Sequence, residues 1–405
     1  MMTTATTYRD SWKKGLLLST ILLGLACKTT ISGDTIVEQS VSLGSDGKIT
    51  WSKAHLEKAY RQISENLAYS IPSPAAISAI QSASSLSAAR QAYEDAIDDL
   101  AEENKFKTRL QEYFFKHLQV GSFSGSDAEN LPANTLTWTI LNGLPMSDSL
   151  TRVQGFGPDG SDMAAGYTNG PADAFKSGYL TQESYVKKHM DQASFSYINR
   201  TLHMNLCIHF PTQDSTVFNS WGDNQIGVLY TVDVVNDLDC RPCHKNNGGM
   251  NLWRGATHDF TDTGDFVANS ARGSNQWGQE DNTFDLEPKD ESGNTLSAAN
   301  SEAYFTPVKG FGTVLSPADM ANAMISTPYY ASCWTERMLS ILFNLEEGVG
   351  GIADTVVPDN FSATDLEKTF FARWLQVMKD EQLVAKNFMV RVLKHDDYLL
   401  SVGSE

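Results

Sequence analysis

Positive charge is in short supply: 31 Lys and Arg stand against 49 Asp and Glu, a net −18 over 405 residues. An acidic surface repels phosphate backbones and anionic lipid headgroups, so no nucleic-acid partner is expected and no basic patch holds the chain to a membrane. Long apolar runs are also missing. The longest, residues 15–26, is too short to cross a bilayer. No internal repeat is evident, and no serine, cysteine or paired-carboxylate catalytic centre stands out. Cysteine occurs only five times, at Cys27, Cys207, Cys240, Cys243 and Cys333. What is present is the composition of a folded globular protein, 41% apolar and 20% charged.

The chain begins with Arg9, Lys13 and Lys14 ahead of the apolar run 15–26 and Cys27, which is the layout of an export signal. Leu23-Gly24-Leu25-Ala26-Cys27 resembles the lipobox of bacterial lipoproteins, in which the cysteine is acylated and becomes the mature N-terminus. The usual Leu three places before the cysteine is Gly24 here, with leucines on either side. The alternative is an uncleaved N-terminal anchor helix. Cleavage before Cys27 leaves 28 basic against 48 acidic side chains, a net −20. The expected location is the periplasm or the cell surface, with the membrane held through the N-terminal lipid.

Cys240-Arg241-Pro242-Cys243-His244 is the strong motif. Two thiols at this spacing meet the two vinyl groups of one haem from a single turn, and the adjacent imidazole lies beneath the iron. A c-type haem is therefore expected, with His244 as the proximal ligand. A redox dithiol would be expected in a βαβ setting, which the surrounding pattern lacks. Zinc needs two further ligands, and only His203 and His209 offer themselves as strays. For the opposite face of the iron the candidates are Met250 and His258, with His203 and His209 also within chain reach. Met320, Met324 and Met338 fall on helical faces and read as core. Trp253 and Phe260 suit either a haem edge or ordinary core packing.

With Cys27 assigned to lipid and Cys240 and Cys243 to haem, Cys207 and Cys333 remain as an even pair in an oxidising compartment. A disulfide between them is expected; two separately buried thiols are the alternative.

Spacing predicts a mainly α fold: a helical scaffold with long loops and a cytochrome-c-like haem-attachment segment. Ser52 caps a helix bearing Leu56, Tyr60, Ile63 and Leu67. Pro72 and Pro74 punctuate it. The Ala/Ser-rich stretch 75–92 and the apolar series from Tyr93 to Phe114 suggest two further helices. Residues 120–180, rich in Gly, Ser, Asp and Pro, read as long loops. Asp159 with Asp162, and Asp259, Asp262 and Asp265, have oxygens for calcium but not the spacing of a calcium loop; turn-forming aspartates are the better reading. Ser362 and Thr364 offer caps to a helix carrying Leu366, Phe370, Trp374 and Met378, and a second helix through Phe388, Val392 and Leu393 completes a hairpin before a polar tail from Ser401. The organisation follows: a leader over 1–26, a tether over 27–50, a helical domain over 51–177, a haem-bearing domain over 178–350 and a C-terminal hairpin over 351–405.

Gly178-Tyr179-Leu180-Thr181 ahead of Leu206-Cys207, the motif at 240–244, Asp290-Glu291-Ser292-Gly293, and the single cysteine of the run 326–333 resemble a family in this order. It comprises secreted c-type-haem-motif proteins built from planctomycete-type cytochrome-associated domains of unknown function, and the likeness covers residues 178–350. Members follow the motif with an Asp-Pro-x-Gly segment, whereas this chain has Lys245-Asn246-Asn247-Gly248-Gly249-Met250. The resemblance implies a haem-bearing envelope protein and names no substrate. Electron transfer to a redox partner protein is the first functional reading. A structural or partner- and glycan-binding lipoprotein with haem as a folding staple is the second, and a haem peroxidase or oxidase with an open iron position the third.

Overall fold

A computed structural model describes residues 41–43, 49–167, 176–190, 195–207, 260, 264–266, 316–343 and 365–402. Among them the chain is mainly helical, with thirteen α-helices and two short antiparallel hairpins. It divides into two compact units. The first comprises Met1–Tyr113, Ile140–Leu144 and Thr335–Glu405; the second comprises Phe114–Thr139 and Pro145–Trp334.

In the first unit β1 (Val41–Leu43) pairs with β2 (Ile49–Trp51) and leads into α1 (Lys53–Asn66). Ser52 starts α1 as its spacing indicates: the hydroxyl accepts from the His55 N–H at 3.2 Å, and Leu56, Tyr60, Ile63 and Leu67 are buried. Serine repeats this role twice. Ser73 caps α2 (Pro74–Ser82) with Pro74 in its first turn, and Ser85 caps α3 (Leu86–Glu102). The stretch 75–92 is thus divided between two helices, because the Ser85 hydroxyl satisfies the free Ala88 N–H at a new start. A further break follows at Asn104, which takes a left-handed φ of 54°, before α4 (Lys107–Leu118). Four helices occupy the region where three were expected.

The C-terminal hairpin forms from α11 (Asp365–Asp380) and α12 (Ala385–Lys394), with Phe371, Trp374, Met378, Phe388, Val392 and Leu393 buried. The caps expected from Ser362 and Thr364 lie outside the described residues. Beyond the hairpin the chain forms α13 (Asp396–Val402), in which Tyr398, Leu399 and Val402 are buried; of these only Val402 falls in the stretch from Ser401 read as a polar tail. The two ends of this unit are stitched together. Tyr93 donates to the Leu393 carbonyl at 2.6 Å, His55 donates to that of Leu399 at 2.7 Å, and Lys58 to that of Val402 at 2.9 Å.

The second unit holds the largest departure from the sequence pattern. Residues read as loop form α5 (Asp127–Leu141), opened by a reciprocal cap between Ser126 and Glu129. Residues 131–141 of α5 are all buried. A helix covered on every side shows no apolar stripe, and Pro132 with Thr135, Thr137 and Thr139 masks it further. The unit continues with α6 (Asp148–Thr151), the hairpin of β3 (Gly155–Phe156) and β4 (Asp162–Met163), a 3-10 turn at Gly178–Thr181, α7 (Glu183–Met190) and α8 (Phe195–Leu206). It then includes α9 (Pro317–Ser326), capped by Ser316, and the first turns of α10 (Pro328–Phe343).

Candidate functional site

Of the residues singled out for chemistry, Cys27, Cys240, Cys243, His244, Met250 and His258 lie outside the described residues, as do His209 and Trp253. Cys207 and Cys333 lie within them, and a disulfide joins them, with Sγ atoms 2.12 Å and Cα atoms 5.2 Å apart. The alternative of two separate thiols is thereby set aside. Cys207 ends α8 in a left-handed conformation, φ 54°, its N–H donating to the His203 carbonyl at 3.1 Å. Cys333 sits in the second turn of α10 and is fully buried beside Trp334, whose ring meets those of Phe114 and Tyr330 edge-on. The bond closes a segment of 126 residues that contains the C-x-x-C-H run.

Around the start of that segment lies a buried cluster of polar aromatics. The rings of Tyr179 and Tyr197 stand 5.1 and 5.6 Å from that of Tyr185, each edge-on. Every hydroxyl has a partner: Asn205 donates to Tyr179 at 2.6 Å, Tyr197 donates to the Leu180 carbonyl at 2.9 Å, and Tyr185 pairs with Thr201 at 2.9 Å. Burial holds all three phenols above their ordinary pKa, so they stay protonated. The Gly178-Tyr179-Leu180-Thr181 turn is wholly buried and anchors this cluster.

His189 of α7 is the buried histidine here. Its Nε2 donates to the Leu118 carbonyl at 2.7 Å, and Nδ1 lies 3.4 Å from the Ser196 hydroxyl. Burial pushes its pKa down to about 4, outweighing the upward pull of the carbonyl. It is a neutral core histidine, and its sequence neighbourhood does not mark it as one.

Phe260 is buried in a second aromatic group, with ring centroids 6.2 Å from Tyr167, 6.4 Å from Tyr197 and 6.2 Å from Phe266. Asp265 joins Glu183 on the Lys187 ammonium, at 3.1 and 2.6 Å, which fastens residues 264–266 to α7. Asp159 accepts from the backbone and hydroxyl of Ser161, as a turn residue does, and Asp162 pairs with Arg152. Asp259 and Asp262 are outside the described residues. Met320, Met324 and Met338 are fully buried in α9 and α10, in agreement with the core reading.

Among the described residues no group of three or more His, Cys, Asp or Glu is arranged to hold a metal ion, and no helix is long and apolar enough to cross a membrane. What these residues provide is a buried, hydrogen-bonded frame around the disulfide. No protein-family model matches the chain, and neither a curated protein nor a solved structure matches it.

Proposed function

We propose that this chain is an exported, lipid-anchored envelope protein that carries one covalent c-type haem on Cys240, Cys243 and His244 and relays electrons. The observation that carries the reading is the C-x-x-C-H run together with the Cys207–Cys333 disulfide. The disulfide supports an oxidising compartment, because such bonds are rare in the reducing cytosol. It also withdraws two of the five cysteines, leaving the motif pair and Cys27. The donor set suits the cofactor: two thiols form thioethers to one haem, and one imidazole binds its iron. Haem supplies one-electron chemistry when bound, and an acidic exterior suits docking to a basic redox partner.

The test is maturation of the full chain in cells with a haem-attachment system. A mass gain of one haem, lost together with Cys240→Ser and Cys243→Ser, is the expected result. A chain that acquires no covalent haem overturns the reading. A reduced spectrum left unshifted by carbon monoxide favours electron transfer, with Met250 or His258 on the distal face; a shifted spectrum favours an enzyme with open iron.

A further inference from the structure

The disulfide joins cysteines that are not consecutive in the chain: Cys240 and Cys243 lie between Cys207 and Cys333. In the unfolded chain Cys207 is 33 and 36 residues from those two, against 126 from Cys333. Loop-closure entropy then favours a bond from Cys207 to either motif cysteine by about sevenfold over the native bond. Chain export reinforces this, since Cys333 emerges last. The native partner is selected only when the fold brings it in. In the folded unit the Cys333 sulfur lies over the last turn of α8, 3.8 and 3.7 Å from the carbonyl oxygens of His203 and Met204, while Cys207 is held at the end of the same turn. The pairing site is built from α8 and the start of α10, and Cys333 is fully buried in it.

We infer that Cys333 acts as a resolving cysteine: packing of α10 on the end of α8 drives a thiol–disulfide exchange that frees Cys240 or Cys243 from Cys207 and so supplies the motif thiols in reduced form. This rests on the haem-attachment reading given above. A disulfide oxidant of the envelope first joins Cys207 to Cys240 or Cys243, taking up two electrons and two protons as it becomes a dithiol. The Cys333 thiolate then attacks the Cys207 sulfur. The Cys207–Cys333 bond forms, the older bond breaks, and the departing motif sulfur takes up the proton that Cys333 released. One disulfide replaces another, and no further oxidant is consumed. The exchange favours the native bond, because packing of α10 on the end of α8 holds Cys207 and Cys333 side by side, with Cα atoms 5.2 Å apart.

The experiment uses the full chain exported with and without a haem-attachment system, as wild type, Cys333→Ser and the double variant Cys207→Ser/Cys333→Ser. Free thiols are alkylated in acid-quenched, denatured protein and disulfides are mapped by mass, so the readout does not depend on folding. Cys333→Ser is expected to trap Cys207 on Cys240 or Cys243 and to lower haem loading at least fivefold. The double variant, lacking the trapping thiol, is expected to load within twofold of wild type. A bond that served only as a brace would leave both variants equally impaired, and that result overturns the inference. So does Cys207 found as a free thiol in Cys333→Ser. Should wild type acquire no haem, the haem reading fails by itself, and the disulfide map without the attachment system still decides whether Cys333 resolves Cys207.

Discussion

Gly178 abuts the Ser149 carbonyl so closely that a Cβ on it would lie 1.8 Å from the oxygen. Its φ of 50° is in the left-handed region as well, and its N–H donates to the Arg152 carbonyl at 2.8 Å. Neither backbone segment can yield without disturbing the buried turn that holds Tyr179. Gly178→Ala is therefore expected to cost about 4 kcal/mol, from overpacking added to backbone strain. Gly143 is the control, with φ 65° and open space where a Cβ would go. Gly143→Ala should cost only about 1 kcal/mol, the left-handed penalty alone. Urea unfolding midpoints of the two variants check the contrast.

Thr135 on α5 is a buried junction. Its hydroxyl donates to the Leu131 carbonyl at 2.8 Å and accepts from the Gln182 amide at 2.7 Å and the Phe156 N–H at 3.2 Å. Thr135→Val preserves shape but leaves both donors without their acceptor. A loss of about 2 to 3 kcal/mol is expected. Thr135→Ser, which keeps the oxygen, should lose about 1 kcal/mol. Thermal unfolding of the pair separates hydrogen bonding from packing.

His189 makes stability depend on pH in a defined direction. Its folded pKa, pushed down to about 4 by burial, lies below the ordinary value of 6.5. Above pH 6.5 the ring is neutral in both folded and unfolded chains, and its contribution is fully present. Between pH 6.5 and 4 the unfolded chain takes up a proton that the folded chain does not, so stability falls with pH, by about 3 kcal/mol in all. His55, in the other unit, is also held below its ordinary pKa by burial and adds loss of the same sign. His189→Gln can keep a donor toward the Leu118 carbonyl but does not titrate. Its unfolding free energy, followed from pH 7 to 4.5, should fall less steeply than that of wild type.

Asp396 connects the two ends of its unit, accepting from the Trp51 indole at 2.7 Å and from Arg90 at 2.9 Å. Its side chain is 37% exposed and that of Arg90 25%, so solvent screens the pair. Asp396→Ala is expected to cost about 1 to 2 kcal/mol, and Asp396→Asn, which retains an acceptor for the indole, about half as much. Raising the salt concentration should shrink the difference between wild type and Asp396→Asn, which is the loss of the charge facing Arg90, as measured by denaturant midpoint.

The parts of the fold that were legible are those governed by neighbours in the chain. Ser52 and the apolar spacing behind it specify α1, because a cap and a stripe are both local. The same holds for the hairpin carrying Trp374 and Phe388. Helix α5 was not legible from its stripe, since residues 131–141 are buried on all sides and their pattern carries no period. One local sign of it existed, the Ser126 and Glu129 pair at capping-box spacing. His189 gave no such sign: what defines it is desolvation and the carbonyl of Leu118, which lies far off in sequence.

By itself the sequence determined the local features: the helix start at Ser52, the C-x-x-C-H spacing, and an even cysteine pair left over once Cys27, Cys240 and Cys243 are assigned. Only the tertiary structure decided that the end of α8 meets the start of α10, so that Cys207 reaches Cys333 across 126 residues. Loop entropy alone opposes that pairing, and the packing that overcomes it belongs to the folded chain as a whole.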